Sequence, residues 1–216
     1  MFISFEGSEG CGKTTQIEQL ESRLRSEGIQ VTRTREPGGT PLGEALRHLL
    51  KFAPEGEGMT SASELFLFAG SRAQLVHEVI QPAIASGGVV LADRFIDSTT
   101  VYQGAGRGLP QDAIEVVNGL AIGETVPHVT FLLDMDSEIA WTRAVEQTMN
   151  LFPNDGYADR MEQEEKTFYE KVRQGYLQIA ADQPARFRVI NADRPVEDIS
   201  EDIWNEVKGW IDGLSS

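Results

Sequence analysis

The chain is poor in positive charge. Its 34 acidic residues face only 19 lysines and arginines, for a net charge of −15. A bare acidic surface repels DNA, RNA and anionic membranes, so nucleic-acid and membrane partners are not expected. Cysteine occurs once, at Cys11. One thiol excludes an internal disulfide and suits a reducing cytoplasm. No apolar run approaches the ~20 residues that cross a bilayer, and the first apolar run starts at residue 1, which leaves no room for a secretory leader. Repeats, low-complexity tracts and linkers are lacking too. The 216 residues, 40% hydrophobic, therefore read as one domain with a sizeable core. Also missing is the N-K-x-D motif by which a GTPase reads guanine.

What the chain does have begins at Gly7-Ser8-Glu9-Gly10-Cys11-Gly12-Lys13-Thr14, a match to G-x-x-x-x-G-K-[ST]. The apolar run Met1–Phe5 before it reads as a buried strand. After it, Ile17, Leu20 and Leu24 recur at helical spacing. A glycine-rich loop between strand and helix curls until several N–H groups point at one anion, and the helix N-terminus adds a favourable partial charge. Residues Gly7 to Thr14, with Thr15, are thus the expected ATP-binding loop. Lys13 would reach the outer phosphates and Thr14 would ligate Mg2+. Cys11 sits at a position the motif leaves free and reads as a small filler.

Strand and helix patterns then alternate. Strands are expected at Ile29–Thr34, Val89–Ala92, Val129–Leu133 and Arg186–Ile190. Helices are expected at Ala45–Lys51, Ser63–Ala85 (kinked or ended by Pro82), Gln111–Ala121, Ser137–Glu146 with Ser137 as N-cap, and Val196–Leu214. The order predicts an α/β fold of the P-loop NTPase type: a three-layer sandwich with a parallel sheet of about five strands, helices on both faces and a lid. Ligands of such sheets sit at the C-terminal strand ends, which puts Gly7–Thr14, Arg35, Asp93 and Asp134 along one edge. The polar, turn-rich stretch Gln147–Asp159 is the candidate lid, bordered by Arg160; an ordinary surface loop is the plainer alternative.

A bound nucleoside triphosphate needs a second Mg2+ partner, and strands end in acid at both Asp93 and Asp134. Asp93 is preferred because Arg94 follows it, placing a carboxylate for the metal beside a guanidinium for phosphate. Phosphoryl transfer asks a protein mainly for positioning and charge neutralisation. Scattered arginines supply the latter, which points to a small-molecule kinase. Phe68 and Arg72, four apart, share a helix face. Together they could serve a base and a phosphate, but from spacing alone the plainer reading, a core Phe beside a surface Arg, is the favoured one.

Several segments resemble the thymidylate kinase family: Phe5–Thr15, Thr34-Arg35-Glu36-Pro37-Gly38-Gly39-Thr40, Phe68–Arg72, Asp93-Arg94-Phe95 with Ser98, Tyr102-Gln103-Gly104-Ala105-Gly106-Arg107, Leu132-Leu133-Asp134 and Asp159-Arg160-Met161-Glu162. They run in the family's order from the first strand to the last helix. The resemblance implies transfer of phosphate from ATP to dTMP with Mg2+. It implies that Phe68 stacks on thymine, that Arg72 contacts the base or phosphate, and that Arg94 and Arg35 hold the phosphate. Ser98 and Gln103 would lie by base and sugar, Glu9 would meet the 3′-hydroxyl, and Tyr102 would crowd a 2′-hydroxyl. Asp93 would serve Mg2+. It also implies a cytoplasmic homodimer built on helix packing around Leu65–Val79. The chain departs from the pattern where some relatives carry a catalytic P-loop arginine, for here Gly10 stands. The lid, about 147–160, holds arginine only at its border, so Arg160, with Arg143 beside it as a second candidate, is expected to complete the catalytic set with Lys13 and Arg94. Other nucleotide or deoxynucleoside kinases, and a non-catalytic nucleotide sensor, remain competing readings.

Overall fold

The computed structural model describes residues 1–151 and 166–214. Five parallel strands, β1 (Phe2–Glu6), β2 (Val31–Arg35), β3 (Val89–Asp93), β4 (Val129–Asp134) and β5 (Phe187–Asn191), form one sheet in the order β2-β3-β1-β4-β5. The central strands are buried along their length, as near-continuous apolar runs require when helices cover both faces. Side-chain alternation divides the core. Ile3, Phe5 and Leu91 pack on one face with α1 (Lys13–Ser26) and the closing helix (Val196–Leu214). Phe2, Val90 and Ala92 pack on the other. The expected three-layer α/β architecture is present.

The remaining helices are α2 (Pro41–Lys51), α3 (Ser61–Leu75), α4 (Gln81–Ala85), α5 (Ile96–Thr99), α6 (Gln111–Ile122), α7 (Ser137–Leu151), α8 (Lys166–Asp182) and the closing α9 (Val196–Leu214). Their starts follow local capping. Thr40 accepts the Gly43 N–H and Thr60 accepts the Ser63 N–H, so α2 and α3 begin earlier than their apolar periodicity suggests. Ser137 is not the cap of α7. Asp136 is, accepting the Glu138 N–H at 2.9 Å, while the Ser137 hydroxyl donates to Glu170. Pro82 lies in the first turn of α4, directly after a π-helical turn at Val76–Ile80, and the helical stretch ends at Ala85, the expected end. Helix α7 runs to Leu151, so the first five residues of the expected lid are helical. The rest of that segment, with Arg160, lies outside the described residues. Of the stretch Leu65–Val79 expected at a dimer interface, Leu65, Ala69, Leu75 and Val76 face the protein's own core; the outward face of α3 carries Phe66, 62% exposed.

Strand register brings the functional ends together. Phe5 and Arg35 both lie opposite Asp93, and Asp134 lies opposite Asn191. The Arg94 N–H donates to Phe5 O and the Glu36 N–H to Asp93 O, tying the segments beyond β2 and β3 across the sheet edge.

Candidate active site

The loop from Gly7 to Gly12 joins β1 to α1. Gly7 has φ +135°, and a Cβ there would fall 2.6 Å from Leu133 O, so backbone shape and space both require glycine. Cys11 is buried against Gly7 and fills the loop's underside. Lys13 folds back so that its Nζ donates to Gly7 O at 3.1 Å and to Ser8 O at 2.8 Å. The Thr14 hydroxyl donates to Asp93 Oδ2 at 3.2 Å, across 79 residues of sequence. A hydroxyl and a carboxylate at this distance form a hard-oxygen pair suited to Mg2+, which keeps several waters and leans on substrate phosphates.

Beside the loop opens a cleft of about 370 Å3, the open solvent at its mouth included. Its walls bring together six of the residues singled out from the sequence: Glu9, Phe68, Arg94, Ser98, Tyr102 and Gln103. Four more, Glu36, Pro37, Lys51 and Thr99, were not singled out. Glu36 and Pro37 directly follow Arg35 in the R-E-P-G-G segment, which was a usable signal. Lys51, at the end of α2, had none.

Arg94 organises this cleft. It is a non-glycine residue at φ +70°, an uncommon conformation that clusters at functional sites. Its Nη2 donates to Glu9 at 2.9 Å, and its Nη1 donates to Gly7 O at 3.0 Å and to the Ser98 and Tyr176 hydroxyls at 3.2 Å. Its guanidinium also lies 5.1 Å from the Tyr102 ring centre. Burial alone would raise the Glu9 carboxyl, but Arg94, helped by Lys13 and Lys51, overrides burial and holds it well below the usual range. Glu6, one layer beneath, is fully buried and accepts from the Phe95 N–H, Ser98 and Tyr176. Burial, then Asp97, push its carboxyl up to about 7 against the pull of Arg94. The Tyr102 hydroxyl is buried without a partner among the described residues. Tyr102 and Gln103 share a π-helical segment, Thr100–Gly106, a form common at functional sites.

Three expected residues lie elsewhere. Arg72 is 1% exposed, neither a surface residue nor part of the cleft wall. Its Nε and Nη2 fork onto Glu36 at 2.8 and 2.6 Å, and it also donates to Asn118 and Thr99, both at 2.7 Å. It braces the wall from behind through Glu36 and Thr99. Arg35 turns to Glu44, which the Gly39 N–H also holds. Arg143 pairs with Asp193, just beyond β5, and makes no described contact with Lys13 or Arg94. Asp134 is taken by Arg173 at 2.8 Å, which leaves Asp93 as the acid beside Thr14.

The thymidylate kinase family model matches residues 5–203, nearly the whole chain. The chain belongs to the thymidylate kinase family. It is 47% identical over 211 residues to a thymidylate kinase of Halothermothrix orenii, covering 98% of both chains. With a thymidylate kinase of Deinococcus radiodurans it shares 45% over 208 residues, covering 96% of each. A crystal structure of thymidylate kinase from Ehrlichia chaffeensis superposes with a TM-score of 0.74 at 34% identity, spanning 96% of this chain and 98% of that one. Family membership makes this chain an enzyme that uses ATP. Among the described residues, no helix is long and apolar enough to cross a membrane.

Proposed function

We propose that this chain transfers the γ-phosphoryl group of ATP to dTMP, giving ADP and dTDP, with Mg2+ on the donor phosphates. The observation that carries the reading is the meeting of Lys13 and Arg94 on one carbonyl oxygen, that of Gly7, at 3.1 and 3.0 Å. Lys13 belongs to the donor loop and Arg94 lines the acceptor cleft. A transferring group bound near both would lie between donor and acceptor oxygens, as in-line displacement needs.

In this reading the loop amides and Lys13 cradle the ATP phosphates, and Thr14 with Asp93 holds Mg2+. When bound, the ion neutralises charge on the phosphate oxygens. Arg94 grips the dTMP phosphate, joined by Arg35 once it leaves Glu44. Phe68 stacks on thymine, Ser98 and Gln103 meet base and sugar, Glu9 meets the 3′-hydroxyl, and Tyr102 crowds the 2′ position. Arg72 acts on the same nucleotide through Glu36 and Thr99. With glycine at position 10, Arg160, aided by Arg143, brings the last positive charge from the lid, about 147–160. The whole chain is one nucleoside monophosphate kinase domain working in the cytoplasm as a homodimer. In favour of the dimer, α2, α3 and α6 carry the outward apolar residues Leu42, Phe66, Val116 and Leu120, the last 83% exposed.

A coupled ADP-release assay with ATP and Mg2+ against nucleoside monophosphates and free nucleosides tests this. Fast turnover with dTMP, slower with dUMP and none with thymidine is expected. ATP binding without dTMP turnover overturns the reading.

A further inference from the structure

The cleft wall that carries Phe68 also carries a side chain with no freedom to turn. Gln103 and Glu64 are each only 1% exposed. Gln103 Nε2 donates to Glu64 Oε1 at 2.7 Å, and Arg107 donates to the two oxygens of the same carboxylate at 3.2 and 3.4 Å. A carboxylate paired with a guanidinium accepts hydrogen bonds and cannot donate them. The two ends of an amide differ in the same sense, NH2 donating and the carbonyl accepting. A half-turn of the Gln103 amide would set two acceptor oxygens against each other in a buried place, losing a charge-assisted hydrogen bond and leaving both oxygens unsatisfied. Glu64 therefore dictates which end of the amide faces it. The other end, Oε1, receives no hydrogen bond from any described residue, and the Gln103 side chain lines the cleft.

We propose that Glu64 is a positioning residue for base choice: by holding Gln103 Nε2, it commits Gln103 Oε1 to accept from a base with a ring N–H. A 2,4-dioxopyrimidine has that donor. A 4-aminopyrimidine presents a bare ring nitrogen there, an acceptor facing an acceptor, and is turned away. The inference rests on the reading of the cleft as the dTMP site. The sequence placed Gln103 by the base; its direction comes from Glu64, 39 residues earlier in the chain and not one of the residues singled out.

The test compares kcat/KM for dTMP and dCMP, with ATP, in the wild type, Glu64→Gln, Gln103→Met and the double variant. An amide at position 64 can donate or accept, which frees Gln103 to turn. The preference for dTMP over dCMP falls about tenfold or more in Glu64→Gln, and at least as far in Gln103→Met, which leaves the Glu64–Arg107 pair intact. In the Gln103→Met background, Glu64→Gln changes the preference no further, because it acts through Gln103. Arg107→Gln, at the more exposed end of the network, removes a cation paired with Glu64 and weakens its hold as an acceptor on Gln103. It shifts the preference the same way and carries the test of Glu64 if Glu64→Gln does not fold. Equal losses for both nucleotides in Glu64→Gln, or an undiminished preference in Gln103→Met or Arg107→Gln, overturn the proposal. A folded wild-type protein inert toward dTMP instead overturns the dTMP reading and this one with it, a result distinguishable from either.

Discussion

Replacing Arg72 by Met separates two views of that residue. The Glu36 carboxylate it grips is 6% exposed, and no other side chain is bonded to it among the described residues. Removing one partner of a buried ion pair leaves the other charge unpaired in a poor solvent, a loss of about 3–5 kcal/mol. For a chain of this size that corresponds to a fall in Tm of roughly 6–20 °C. Urea unfolding at pH 7, read from the midpoint with the slope unchanged, measures it directly. The double variant Arg72→Met/Glu36→Gln holds no orphaned charge and recovers about 2 kcal/mol or more of the loss, since a buried neutral amide costs less than a buried ion. An Arg72→Met protein within about 1 kcal/mol of the wild type refutes the argument. So does a double variant no more stable than the single. Full stability combined with a much higher KM for dTMP would mean that Arg72 reads the nucleotide directly.

Gly7→Ala drives a Cβ to 2.6 Å from Leu133 O at a φ that L-residues avoid, so ATP affinity measured by calorimetry falls about 5- to 150-fold, the scale of about 1–3 kcal/mol of backbone strain. Tyr102→Phe deletes a buried hydroxyl with no described partner; its thermal stability is equal or higher by about 1 kcal/mol, and a clear loss would reveal a bond from outside the described residues. Glu6 binds its proton more tightly in the fold, up to about 7 against 4.5 unfolded. Its contribution is complete below pH 4.5 and is lost as pH rises to about 7. Relative to the wild type, Glu6→Gln thus gains up to about 3 kcal/mol across that window in urea titrations, and a pH-independent difference refutes the linkage. Arg160→Ala lowers turnover with dTMP by about a thousandfold in the ADP-release assay; near-normal turnover refutes its role.

The parts of the site that were legible in the sequence are those with local causes. The phosphate loop is contiguous, and the strands that end in Asp93 and Asp134 are short apolar runs whose C-terminal ends must share an edge in a parallel sheet. Distant pairings were not legible. Phe68 and Arg72 share a face by spacing, yet distant partners, Glu36, Thr99 and Asn118, hold Arg72 in the interior. The π-helical turns at Val76–Ile80 and Thr100–Gly106 were missed because a 3.6-residue template has no place for them. Asp136 and Ser137 are both good caps in composition, and only the hydrogen bond to Glu138 decides between them. Lys51 reached the cleft wall unannounced, a helix-terminal lysine like many others.

The shared carbonyl of Gly7 has a bearing on what a phosphate group meets at the loop. Lys13 donates to Gly7 and Ser8, and Arg94 to Gly7 and Glu9. Phosphate capture is then an exchange, in which the incoming group must outbid contacts already made. A phosphate dianion carries enough acceptor oxygens to take bonds from both cations together. A ligand that reaches both cations must therefore share or replace the bonds they make to the Gly7 carbonyl, so phosphate binding at the loop and the setting of Arg94 are linked through one oxygen.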